Sequence, residues 1–184
     1  MPNVVGQAYT FMALTAIAPG RSESLRGHLE SLPSAAESPF AKLDQTHFAR
    51  FVIIPQLVDL GPPPATRDTL KNEYLLFSAD FDGSLERFLD GVCIAMAAEA
   101  DTIWGHCVGY PGTSDRAAFE RYMRHNQIDT TFPFAAYPHA TVADVREALE
   151  LRGRLTDFAI RAQSMDSASL HEAYRQEFSA DPGS

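Results

Sequence analysis

Three places in the sequence bring together side chains that can do chemistry. The first is His106-Cys107, an adjacent imidazole and thiol in a loop flanked by Gly105, Gly109 and Gly112. Both groups bind haem iron, zinc or copper. With Tyr110 they are the candidate cofactor contacts, and His106 is the candidate metal ligand. Against this, adjacent residues rarely hold one ion, and no second pair stands at zinc-site spacing. The structural alternative is a loop histidine bonded to backbone beside a thiol that packs as a small apolar group.

The second place is His47 and Arg50, three residues apart in a β-rich run. In a regular strand they point to opposite faces, so they are not a simple dyad. Each is a candidate catalytic group, as acid-base imidazole or anion clamp. The alternative pairs Arg50 with a carboxylate such as Asp80 and bonds His47 to backbone, because a buried polar group must find a partner. The third place is Asp80 and Asp82, on either side of Phe81. Paired carboxylates do acid-base work or bind metal. Here Asp82-Gly83-Ser84 also reads as a helix start, with Asp82 or Ser84 accepting the orphan backbone N–H groups, and that cap reading is preferred. His28, His125, His139 and His171 stand alone and read as surface or cap residues. Tyr9, Phe11, Trp104, Tyr110 and Tyr137 read as core before pocket lining. No G-x-S-x-G nucleophile elbow occurs.

These groups need elements to position them. Strands are expected at 8–17, 46–54 and 73–81, each rich in β-branched or aromatic residues and bounded by turn signals. A helix is expected from Ser22 to Leu32, stopped by Pro33. A second begins at Asp82 or Ser84, its stripe formed by Leu85, Phe88, Leu89, Val92 and Met96. Residues 101–112 read as a turn of helix and a loop. A third helix follows, capped by Thr113 or Ser114. TFPFAAY, 131–137, reads as a short final strand, with Pro133 placing it at an edge. A long helix runs from Thr141 to about Gln163, and an amphipathic piece covers 167–178. The proline-rich GPPPATRDT is a connection.

This order is the split βαβ pattern, so the expected fold is α+β, a ferredoxin-like βαββαβ antiparallel sheet with additional helices. One domain spans 1–165, with a helical insertion near 101–127, and a helical tail covers 166–184. The absence of a Gly-rich phosphate loop disfavours a nucleotide-binding α/β fold. The first two strands are apolar on both faces. An antiparallel sheet with helices on one side needs a polar or a covered second face, so a second copy or the C-terminal helices must cover it.

The chain has 184 residues, 45% of them hydrophobic and 21% charged, which fits one globular domain with a real core. Its net charge of −9 repels phosphate backbones. Arg116, Arg121 and Arg124, and Arg146, Arg152, Arg154 and Arg161, are interleaved with acids, so nucleic-acid binding is not expected. No apolar run is long enough to span a membrane. The N-terminus lacks a basic n-region, and two cysteines make no disulfide framework, so a cytoplasmic location is expected.

THFARFVII, YLLFSADFDGSLERFL, the HCVGYPG loop and YPHATVADVREALELRGRL together resemble a group of small bacterial ferredoxin-like domains. These are found alone or beside haem peroxidase, fatty-acid dioxygenase or catalase-like enzymes, and the similarity spans most of residues 40–155. The resemblance implies the dimeric α+β-barrel type, in which two sheets pack face to face in a homodimer. It carries no catalytic motif. Three functions are compatible with it: a small-molecule-binding oxidoreductase assisted by haem, held by His106 or His47; a non-catalytic accessory or dimerisation module acting with a haem-peroxidase-like partner; and a cofactor-free enzyme using His47 or Arg50.

Overall fold

The computed structural model describes residues 8–57 and 69–178. The proline-rich connection falls almost wholly outside them. The chain packs as two compact units, Met1–Val142 and Ala143–Ser184. The expected tail boundary at 166 therefore lies inside the second unit.

The first unit is α+β. Strands β1 (Tyr9–Ala16), β2 (Thr46–Ile54) and β3 (Tyr74–Phe81) form one antiparallel sheet in the order β1-β3-β2. The registers place Ala13 and Phe51 on either side of Phe77. Period-2 alternation then sorts the side chains. Phe11, Ala13 and Thr15, Leu75, Phe77, Ala79 and Phe81, and Ala49, Phe51 and Ile53 share one face. Thr10, Met12 and Leu14, Leu76, Ser78 and Asp80, and Phe48, Arg50 and Val52 share the other.

Helices α1 (Ser22–Ser31), α2 (Leu85–Ala95), α3 (Ala97–Trp104) and α4 (Arg116–His125) supply the rest of the core. Leu25, Phe88, Leu89, Val92, Ile103, Trp104, Phe119 and Met123 are all buried against the first face. The packing is largely aromatic. Phe81 and Phe88 stack with centroids 4.1 Å apart, and Trp104 stands edge-on to Phe77 at 5.2 Å. Between sheet and helices these rings occupy the space.

Of two caps, one falls on one of its two candidates and the other on neither. Ser84, not Asp82, caps α2, its hydroxyl accepting from the Arg87 N–H. Asp115, rather than Thr113 or Ser114, caps α4 through the Ala118 N–H. Thr113 is bound to Asp101 instead.

The final strand also departs from expectation. No strand forms at 131–137. The backbone beside β1's outer edge is the preceding polar stretch: Leu14 N–H donates to Asn126 O, Ile128 N–H donates to Met12 O, and Ala13 bridges Gln127 in antiparallel sense. The alternating aromatics of TFPFAAY mimic a strand, but Pro133 has no N–H to give a ladder.

In the second unit, α5 (Val142–Ala162) and α6 (Ser167–Phe178) form a helical pair. Asp166 caps α6 by accepting from the Ala168 and Ser169 N–H groups, which holds its carboxyl below the usual range. Phe158 packs on Tyr174 and Phe178, and Arg161 pairs with Glu177.

Replacing Ser84 by Ala should cost about 1 kcal/mol, the usual worth of an N-cap. Phe88→Ala should cost about 3–5 kcal/mol, the range for removing a buried ring. Urea denaturation of each variant, followed by far-ultraviolet dichroism, measures both.

Candidate functional site

The loop after α3 is built by its glycines and one carboxylate. A Cβ on Gly105 would lie 2.3 Å from the Asp101 carbonyl oxygen, so only glycine ends α3 this tightly. Gly109 and Gly112 have φ of +73° and +88°, the left-handed region that glycine enters without strain. Asp101 Oδ1 accepts from the Tyr110 hydroxyl at 2.7 Å and from the Thr113 N–H at 2.8 Å, and Oδ2 accepts from the Thr113 hydroxyl at 3.0 Å. Burial, and then the hydrogen bond to Asp101, push the Tyr110 phenol up. Its hydroxyl is therefore a fixed donor, already spent on the loop.

His106 is 8% exposed. Its Nδ1 lies 2.7 Å from the Thr102 carbonyl oxygen, and its Nε2 lies 3.2 Å from the Ser24 hydroxyl. A carbonyl only accepts, so Nδ1 carries a proton, and the Ser24 hydroxyl, which can donate or accept, holds Nε2. Both nitrogens are engaged, tying α1 to α3. A bond from Nε2 to haem iron would have to break the Ser24 contact and uncover a ring that is almost wholly buried, so the loop as folded does not fit that group. The backbone beside it is equally committed: Ala18 N–H donates to His106 O, and Val108 N–H donates to Ala16 O.

Cys107 is buried, and its sulfur lies 3.3 Å from the Thr15 hydroxyl. Burial raises its thiol pKa, so it is held as a neutral thiol. The Tyr122 phenol lies beside Thr15 and Cys107 without reaching hydrogen-bond geometry, and burial pushes it up too. Cys93, on α2, is pushed up to about 11 by burial and then by Asp90. Neither cysteine has the electropositive setting of a reactive thiolate.

His47 sits at an irregularity in the β2–β3 pairing, between Thr46 and Phe48. Its Nε2 is 2.8 Å from Asp82 Oδ1, while Asp82 Oδ2 accepts from the backbone N–H of Val142 at 2.8 Å. Asp82 therefore does accept an orphan backbone N–H, that of Val142, the last residue of the first unit. Both side chains of the pair are 20% exposed. Sequence alone linked Asp82 to α2 and left His47 to the backbone, because the register irregularity that turns His47 toward Asp82 has no signature in residue types. Arg50 is exposed on the face of β2 opposite Ser78, with no ion-pair partner among the described residues. Asp80 instead accepts from the Thr10 hydroxyl at 2.6 Å.

The structure thus separates the candidates. His106, Cys107 and Tyr110 brace one loop, His47 and Asp82 pair at the far end of the sheet, and Arg50 stands apart. Among the described residues, no three His, Cys, Asp or Glu side chains are grouped to hold a metal ion. No helix among them is long and apolar enough to cross a membrane. A cleft of about 510 Å³ lies between the turn before β2 and the outer side of α2, lined by Lys42, Gln45, Ser84, Arg87, Asp90 and Ile94 among others. Neither β3 nor the His106 loop lines it.

His106→Ala should cost about 1–3 kcal/mol, since it removes two part-buried hydrogen bonds. Thermal denaturation checks this. Both thiols should react with an aromatic disulfide reagent at pH 8 far more slowly than a free cysteine, and at its rate once urea unfolds the chain; colour release against time reads this directly.

No family model, curated protein or solved structure matches the chain.

Proposed function

We propose that this chain is a homodimeric, ferredoxin-like interaction module of the dimeric α+β-barrel type, acting beside a haem-peroxidase-like or dioxygenase-like enzyme. The observation that carries the reading is the second face of the sheet. On it Phe48 is 75% exposed and Val52 43% exposed, Val52 in line with Leu76 and Leu14, with Met12 on the same face of β1. A three-strand face with that composition is a surface built to meet another.

Topology supports the ferredoxin-like part. The order β1-β3-β2, with α1 between β1 and β2 and α2 after β3, is that of a split βαβ sheet, and Asn126–Ile128 lies where a fourth strand would pair. The state of the polar groups supports the non-catalytic part. The enzyme partner rests on the resemblance of residues 40–155 alone.

One observation favours a second reading. A carboxylate holding Nε2 of an imidazole, with Nδ1 left over, is the arrangement that orients a general base. His47 and Asp82 have it, so a cofactor-free acid-base enzyme is the alternative.

Light scattering at micromolar concentration should give twice the chain mass, and Phe48→Asp should halve it. A wild-type monomer overturns the module reading. Haem titration should produce no Soret shift; a shift that His106→Ala abolishes would restore the haem reading. For the second reading, solvent deuterium exchange into a panel of carbonyl acids, lost on His47→Ala, would be required.

A further inference from the structure

We infer that residues 131–137 form an aromatic strap with which each copy clasps its partner, Phe132, Phe134 and Tyr137 of one chain packing on Phe48 and Val52 of the other. This rests on the homodimer reading above.

The first argument is register. Along β1's outer edge, Gln127 lies opposite Ala13, and the Thr130 hydroxyl donates to Thr10 O. An unbroken register would next set Phe132 opposite Ala8. Instead Ala8 N–H donates to Pro138 O. Six residues more than the edge needs have been let out between two tethers. In this excess Phe132 is 76%, Phe134 83% and Tyr137 79% exposed. Three large rings so exposed within six residues have nothing to hold them in a lone chain, while Pro133 and Pro138 limit the backbone entropy lost on docking.

The second argument is area. The second face of a sheet of three strands, eight residues long, covers only about 400 Å². A specific dimer buries about 800 Å² per partner. Three aromatic side chains at this exposure offer roughly 400–500 Å² more, which closes the gap.

The third argument is symmetry. A two-fold contact is self-complementary. The strap lies beyond β1, one edge of the sheet, and Phe48 and Val52 lie on β2, the other. Two sheets packed face to face about a dyad parallel to the strands set the β1 side of each copy over the β2 side of the other. That places each strap over the partner's most exposed apolar pair. The same superposition brings Arg50 of one copy toward Asp80 of the other, two opposite charges with no ionic partner among the described residues of their own chain.

The test compares three chains by sedimentation: wild type, Phe132→Ser/Phe134→Ser, and Phe48→Asp. The strap rings touch no core, so the double variant should unfold at the wild-type temperature. Its dimer should nevertheless weaken by about 30-fold or more, as loss of hot-spot aromatics does. A double variant that dimerises as tightly as wild type overturns the strap and leaves the homodimer standing; a monomeric wild type overturns both. Independently, with Cys93→Ser in each, a Phe134→Cys chain mixed with a Val52→Cys chain should form an intermolecular disulfide on mild oxidation. Cross-linking no greater than that of either chain alone also overturns the strap.

Discussion

The first unit depends on the pairing of β3 with both its neighbours. Because it is central, β3 has no free edge, and its inward side chains Leu75, Phe77, Ala79 and Phe81 are all at most 1% exposed. They are the floor on which α2, α3 and α4 rest. Phe77 alone touches the rings of Phe11, Phe40, Phe51, Phe88 and Trp104. Interiors packed this densely leave no slack for volume changes, so the strand, its partners and the helices stand or fall together.

Around that core, the residues that looked most chemical act as braces. Asp101 ties the Tyr110 loop to α3, His106 ties α1 to α3, and Asp82 joins β2 to the backbone of Val142. Each offers groups that would be costly to bury unpaired and finds at least one partner nine or more residues away in sequence. Such long-range bonds specify a single arrangement of elements rather than adding much net stability.

Much of the fold was legible in the sequence. β1, β2, β3 and all the long helices lie where alternation and helical periodicity place them, because apolar pattern and burial are two views of one constraint. The doubly apolar strands also pointed to a face needing cover, and Phe48 and Val52 are exposed on it. The final strand was not legible, since edge pairing at 126–128 is made by backbone atoms that polar residues supply as well as apolar ones. The partners of His47, Asp82 and Thr113 were illegible for a related reason: a side-chain hydrogen bond depends on which residues tertiary packing brings within 3 Å, and residue spacing does not encode that.

The single tryptophan has a consequence for observing the molecule. Trp104 is fully buried, ringed edge-on by Phe51, Phe77 and Phe119, and its indole N–H has no hydrogen-bond partner among the described residues. An indole held dry among phenyl rings emits at the blue end of its range and moves to the red only when water reaches it. The second unit has no tryptophan, while its two helices contribute strongly to far-ultraviolet dichroism. The fluorescence therefore reports on the first unit alone, while the dichroism reports on the helices of both units. Loss of helix without a red shift marks the second unit melting alone, and a red shift marks water entering the aromatic core of the first.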